Sequence, residues 1–382
     1  MALRLILSCI GIIVASWALP VHAATGSVHK AAARAQAKLP LGQLLMVGFA
    51  GADLDKHHPI LEDIKQRHLG GVVLFNYGPD RNHPAGNIRS PQQLRRLTAQ
   101  LQQAAGNTPL LIAIDQEGGR INRLKQAYGF PPTVSYASLG RRNDLALTRR
   151  QAQNTARTLQ QAGINLNLSP VVDLNVNPAN PIIGRLQRSF SAEPGTVISH
   201  AREVIRAHHQ QGVLCCLKHF PGHGSSTADS HKGFVDVTNT WSPRELLPFA
   251  TLIDEGLADA VLTAHVFNSE LDPRYPATLS ERTVHGVLRK QLGFQGVVIS
   301  DDLTMGAIAD QYRLEDAVEK ALNAGVDILL LADNSPDTTS RMIAIMQKLI
   351  DSGRVTRKRI VQALKRIDDL KSHLRSNIQR QP

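Results

Sequence analysis

The chain has 382 residues, 42% of them hydrophobic and only 4% aromatic, with a formal net charge of +11. That length fits one large α/β barrel or two ordinary domains. So few aromatics among the cations give no stacking platform for a nucleic acid, and past the N-terminus no apolar run is long enough to span a bilayer.

Residues 1–23 carry Arg4, an apolar run from Leu5 to Leu19 and then "VHA", the layout of a secretory signal peptide cut after Ala23. The run falls short of the roughly 20 residues that a membrane span needs, so export with cleavage is expected, to the periplasm or the medium. Cys9 lies inside that run without a lipoprotein-like setting. Residues 24–39 read as a lead segment.

From residue 40 to 353, short apolar runs alternate with amphipathic segments. The runs are "LLMVGFAG" (44–51), "GGVVLF" (70–75), "LLIAID" (110–115), "INLNLSPVVDL" (164–174), "VLCCLKHF" (213–220), "AVLTAH" (260–265), "GVVISDDL" (296–303) and "DILLLAD" (327–333). Helical patterns lie between them, at 90–105, 145–163, 193–212 and 313–325 among others, often preceded by Ser or Thr and followed by Gly. Eight buried strands alternating with helices predict a single-domain α/β fold, a (β/α)8 TIM-type barrel; an open doubly wound sheet is the alternative. No Gly-rich phosphate fingerprint follows the first strand, which disfavours a dinucleotide fold.

Cys215 and Cys216 are adjacent on a predicted strand, where successive side chains point to opposite faces, so they read as small buried hydrophobes rather than a disulfide. Residues 354–382 hold nine Lys/Arg against Asp368 and Asp369 on a helical pattern of Ile360, Leu364, Ile367, Leu370 and Leu374. The apolar stripe should dock on the barrel, leaving a basic helix and tail that form a solvated face or are weakly attracted to anionic envelope surfaces.

In a barrel of this kind the chemistry sits at the C-terminal strand ends. Asp115, Asp173, Lys218, His219, His265, Asp301, Asp302 and Asp333 fall there. Asp333, before "NS" and a helix, reads as a helix cap, and Asp302 as a local hydrogen-bonding residue that could still exchange roles with Asp301. His219, His223, His231 and His265 could ligate a metal, but no early strand carries an H-x-H pair and loop histidines among Gly and Ser would be poorly held; no metal or cofactor is expected. Proton transfer is the stronger reading. In "DSH" Asp229 can hydrogen-bond one ring nitrogen of His231 and raise the basicity of the other. Asp301, leaving a rigid apolar strand, is a candidate nucleophile toward a glycoside or phosphoryl group.

"KHFPGHG" with "TADSH", "DQEGGRINR" (115–123), "RSF" (188–190), "TAHV" (263–266) and "GVVISDDL" together resemble the family 3 glycoside hydrolases, and among them single-domain bacterial β-N-acetylglucosaminidases acting on cell-wall fragments. The resemblance covers about residues 40 to 350 and implies a (β/α)8 barrel. It makes Asp301 the nucleophile, His231 the acid/base and Asp229 its orienting partner. Asp115, Arg123, Arg188, Lys218 and His219 would bind substrate, Arg185 competing with Arg188 for its place. It implies a retaining mechanism in which a His–Asp pair replaces the second carboxylate. A phosphorylase on the same scaffold, or a metal-dependent barrel hydrolase, is the alternative. With Trp241 the one tryptophan left after cleavage, a pocket for one terminal sugar is expected rather than a paved cleft. The expected substrate is a small glycan ending in β-linked N-acetylglucosamine, a muropeptide first and a chitooligosaccharide second, cleaved by a monomer.

Overall fold

The computed structural model describes residues 39–76, 86–333 and 335–378, with the side chains of 376–378 excepted. The expected signal peptide, its cleavage point at Ala23 and residues 24–38 lie outside the described residues. Among these residues no helix is long and apolar enough to cross a membrane.

Eight parallel strands form one sheet: β1 (Leu45–Val47), β2 (Gly71–Leu74), β3 (Leu111–Ile114), β4 (Leu166–Asn167), β5 (Leu214–Phe220), β6 (Ala260–Thr263), β7 (Val297–Ile299) and β8 (Leu329–Leu331). Each lies inside one of the eight apolar runs. Neighbours in the sheet follow chain order, and β8 pairs back onto β1 with Leu45 opposite Leu329. The gap between β7 and β8 is bridged at Ile299 and Ile328, whose N–H donates to the Val298 carbonyl at 3.0 Å. The sheet therefore closes into a (β/α)8 barrel rather than an open sheet. Val72, Val73, Leu111–Ile114 and Val297–Ile299 are all buried, as strands covered on both faces require.

The helices outside the barrel are α1 (Pro59–Gln66), α2 (Pro91–Ala105), α3 (Leu145–Gln161), α4 (Pro194–His209), α5 (Leu247–Asp254), a π-helical segment (Arg282–Gln291), α6 (Leu314–Ala324), α7 (Thr338–Asp351) and α8 (Arg357–Ile378). Their starts follow from local chemistry. Ser90 accepts the Gln93 N–H and Pro91 opens α2, while Asp144 accepts the Leu147 N–H at the start of α3. α3 stops two residues before Gly163, whose φ of +72° a side chain would strain.

The apolar stripe of α8 docks as expected, with Ile360, Ile367, Leu370 and Leu374 buried. Its charges are less solvated than the sequence suggests. Arg359 and Arg366, with Arg289 of the π-helical segment, converge on the buried carboxylate of Asp327 at 2.9, 3.2 and 2.6 Å. Arg354, just before the helix, pairs with Glu315, Asp316 and Glu319, and Lys371 is buried with its ammonium on Gln43. Cys215 and Cys216 are free and buried.

Candidate active site

The strand ends carry a buried ionic network. Lys218, on β5, donates to Asp115 Oδ1 at 2.6 Å and lies 2.8 Å from Glu117 Oε1. Arg188 grips Glu117 with two nitrogens, Nε to Oε2 at 2.8 Å and Nη2 to Oε1 at 2.7 Å, the fork geometry that favours an arginine–carboxylate pair. Arg123 Nη2 stands 3.5 Å from Asp115 Oδ2. Burial alone would raise the Asp115 carboxyl, but Lys218 and Arg123 outweigh it and hold the group well below the usual carboxylate range. Glu117 is likewise lowered against its burial by Arg188 and Lys218. Of these carboxylates only Asp115 reaches the surface, its side chain 18% exposed against 1% for Glu117. Asp115 can therefore accept from sugar hydroxyls, while Glu117 holds the two cations in place.

His219 has its tautomer set by its neighbours. Arg188 Nη2 donates to its Nε2 at 3.1 Å, and a guanidinium has no lone pair to offer. The ring proton must then sit on Nδ1, which donates to Asp173 Oδ2 at 2.6 Å. Burial, with Arg188 and Lys218 beside it, pushes the imidazole well below its ordinary pKa, so it stays neutral. The other Asp173 oxygen accepts the His219 and His223 backbone N–H groups at 3.1 and 2.8 Å. The β5–β6 register slips between Leu217 and Phe220, and in that interval two consecutive side chains, Lys218 and His219, both join the network.

Asp301 follows β7, half-buried, with the Asp302 N–H donating to its Oδ1 at 2.9 Å. Burial raises its carboxyl, but the neighbouring imidazoles, His265 first, outweigh this and hold it below the usual carboxylate range, hence ionised at neutral pH. Asp302 is occupied locally: its Oδ1 accepts the Thr304 and Ala332 N–H groups, and the Thr304 hydroxyl bonds both oxygens. The Asp302 carboxylate is thus held by its own turn and by the residue after β8. His265 packs beneath the site, its Nε2 3.0 Å from the Asp302 carbonyl, and so steadies the turn after β7. Asp333 bonds the Thr338 hydroxyl at the start of α7.

His231 and Asp229 sit on the β5–α5 loop, joined by Nδ1 to Oδ1 at 2.8 Å, and Asp229 also accepts the His231 N–H. The loop leans on the turn that follows Asp301. Ala307 N–H donates to the Ser230 carbonyl at 3.1 Å and Gly306 N–H to that of His231 at 3.3 Å. A Cβ at Gly306 would come within 3.1 Å of that carbonyl oxygen, so glycine permits the approach. The His231 side chain remains 60% exposed.

All eight predicted site residues thus line one end of the barrel. Arg185 is exposed, whereas Arg188 enters the network. The sequence places Asp173 at a strand end without a role and gives no signal for Glu117 as a member of the site. Glu117 stands two positions after Asp115 in the quoted motif, but which cations it would hold depends on β5 and on the segment after β4. Among the described residues no group of three His, Cys, Asp or Glu is arranged to hold a metal ion.

The profile of the glycosyl hydrolase family 3 N terminal domain matches residues 37–370. A beta-hexosaminidase of Tolumonas auensis is 37% identical over 293 residues, covering 76% of this chain and 83% of that protein. Beta-hexosaminidase A of Pseudoalteromonas piscicida is 35% identical, over 83% of this chain but only 55% of its own length. Among solved structures, a family 3 β-N-acetylglucosaminidase from Paenibacillus sp. superposes with a TM-score of 0.79 at 34% identity, over 88% of this chain and 62% of that one. A β-N-acetylhexosaminidase from Beutenbergia cavernae gives 0.77 at 31%, over 87% and 97%.

Proposed function

Because this chain belongs to glycosyl hydrolase family 3, a family of glycosidases, we propose that it is an exo-acting, retaining β-N-acetylglucosaminidase. The observation that carries the reading is the docking of the Ser230–His231 backbone on the turn after Asp301, which joins an ionised carboxylate to a carboxylate-bound imidazole. In the first step Asp301 attacks the anomeric carbon. The bond to the leaving oxygen breaks as that oxygen takes the proton from His231 Nε2, with Asp229 stabilising the ring through Nδ1. In the second, the now neutral Nε2 takes a proton from water, whose oxygen displaces Asp301. Two inversions leave the configuration unchanged.

The terminal sugar would lie against Asp115, Arg123, Lys218, Arg188 and His219. The ionised Asp115 suits a pair of hydroxyls, and the cations suit hydroxyl and amide oxygens. Phe234 is the one exposed phenylalanine among the described residues, which supports a single-sugar pocket over a paved cleft. The substrate we propose is a muropeptide ending in β-linked N-acetylglucosamine, with a chitooligosaccharide second, met by an exported monomer outside the cytoplasm. Any attraction to anionic surfaces would rest on the exposed arginines of α2–α4.

The test offers the purified full-length mature chain a muropeptide and a chitobiose side by side. Release of terminal N-acetylglucosamine, first in the β form and unaffected by chelator, is expected. Asp301→Asn should lower turnover by about 10⁴-fold or more. A sugar 1-phosphate formed with added phosphate would instead identify a phosphorylase, and a fluorosugar adduct on another residue would overturn the assignment of Asp301.

A further inference from the structure

The loop that carries His231 is held at its root by a residue the mechanism does not use. Glu245 lies in the 3-10 turn Pro243–Leu246, where the loop returns to the barrel, and is 1% exposed. Its Oε2 accepts the Gly224 N–H at 3.1 Å. Its Cβ lies so close to Gly222 that a side chain there would meet it at 2.6 Å. Beside it, Trp241 Nε1 donates to the Pro221 carbonyl at 3.1 Å. The returning strand of the loop thus clamps the outgoing one at residues 221–224.

A path leads from the clamp to the acid/base. His223, next to Gly224, bonds Ser226 through Nδ1 at 2.6 Å and Ser230 through Nε2 at 3.2 Å, and Ser230 precedes His231. Beyond Ser226 residues 227 and 228 are exposed, and so is His231 itself. Ser230 itself is 1% exposed, so packing runs from the root to the residue before the reacting group. At the root Glu245 and Ser225 are buried side by side, and Ser225 eases the desolvation of the carboxyl through its hydroxyl and its N–H. Burial still pushes this carboxyl up to about 7.

We propose that Glu245 is a positioning residue for the acid/base: by holding the Gly222–Gly224 turn, it sets the reach of His231 toward the departing oxygen. This rests on the reading of His231 given above. Losing the acceptor lets the turn relax, and a displacement of about 1 Å at the reacting group can cost on the order of 10²-fold. Because the displaced group is an acid, that loss falls where protonation matters.

The experiment compares Glu245→Leu, Glu245→Gln, His231→Ala and the double variant His231→Ala/Glu245→Leu on chitobiose and on an activated nitrophenyl β-N-acetylglucosaminide. Thermal unfolding of each variant is measured alongside. Gln keeps an acceptor for Gly224 and should keep most of the activity. Leu fills the space without one and should lose about 10²-fold in kcat on chitobiose, far less on the activated glycoside, and nothing further in the His231→Ala background. Equal losses on both substrates, additive losses in the double variant, or no loss at an unchanged Tm would each overturn the proposal. If His231→Ala itself fails to discriminate the two substrates, the acid/base reading falls instead. If Glu245→Leu does not fold, Glu245→Ala takes its place: a leaving-group-selective loss there supports the clamp, and a uniform loss or none removes it.

Discussion

Two regions of the barrel mouth obey opposite physics. In the network around Glu117, side-chain exposure is 1% for Glu117, 3% for Lys218, 10% for Arg188 and 0% for Asp173, and each of these charges has at least two polar partners. In the pair on the β5–α5 loop, His231 is 60% and Asp229 21% exposed, with one ring nitrogen bonded and the other free to face a ligand. The first region is preorganised: its donors and acceptors are set before substrate arrives and need not reorient during reaction. On the mechanism proposed above, the second protonates a leaving group and then admits water to the same place, and such a role gains from a loop fixed at its root and open at its tip.

The largest effect that tests this contrast concerns stability. Glu117→Gln leaves the buried Arg188 and Lys218 short of a countercharge, and breaking such a buried pair costs about 3–5 kcal/mol. Denaturant unfolding should show a loss of this size, with terminal-sugar binding weakened in parallel. His231→Ala removes an exposed ring and should change unfolding by less than about 0.5 kcal/mol while impairing turnover. Comparable destabilisation by both variants would erase the distinction between the regions.

The barrel itself was readable, because eight β-branched or leucine-rich runs each became a strand and the helix stops fell at glycines such as Gly163 and Gly325. So were the place of Asp301 just past β7 and the Asp229–His231 hydrogen bond, since two residues of separation on a loop nearly fixes that contact. What stayed hidden depends on contacts distant in sequence. Glu117 meets Arg188 across 71 positions and Lys218 across about a hundred, and Asp173 meets His219 across 46. No local period encodes those pairings. The C-terminal charges were misjudged for the same reason: Asp327, which gathers Arg359 and Arg366, reads from sequence as the polar start of a strand rather than a buried ionic hub.

A smaller effect comes from pH. Burial lowers His208 and His223 to about 4 from 6.5, so in this interval the unfolded chain binds protons that the folded chain refuses, and stability is lost as pH falls from 6.5 toward 4. Glu245 acts in the other direction. Its carboxyl is raised from 4.5 to about 7, so the folded state keeps a proton the unfolded state has released, and stability is lost as pH rises through that window. Each shift is worth on the order of 3 kcal/mol at most. Two histidines against one glutamate, with the lowered Asp115 and Glu117 adding an acid loss at lower pH, leave a net decline on acidification. Urea midpoints at pH 6.5, 5.5 and 4.5 should fall in order. His208→Gln, on the buried face of α4 and bonded to Asn167 rather than to the His231 loop, should flatten that trend without altering leaving-group selectivity. A midpoint that rises on acidification would mean Glu245 outweighs both rings.

The weakest expected effect concerns the exterior, where charge is neither buried nor paired. On α8, Lys365 pairs with Asp369 and Arg375 with Asp368, and Arg359 and Arg366 are committed to Asp327. On α2 to α4, Arg95, Arg96, Arg150, Arg157 and Arg206 are exposed, while Arg149, in one groove with Arg206, is paired with Glu203 at 2.6 Å. If the protein is drawn to anionic surfaces, the sector from α2 to α4 has the arginines left over to do it, and arginine forks suit phosphate oxygens. Co-sedimentation with phosphatidylglycerol vesicles in 20 mM salt should therefore fall for Arg150→Glu/Arg157→Glu and hold for Lys358→Glu/Lys365→Glu. Wild-type binding should fade by about 0.15 M salt, where the screening length shrinks to about 8 Å. The reverse ranking would return the interaction to the C-terminal helix and show that its ion pairs open at a charged surface.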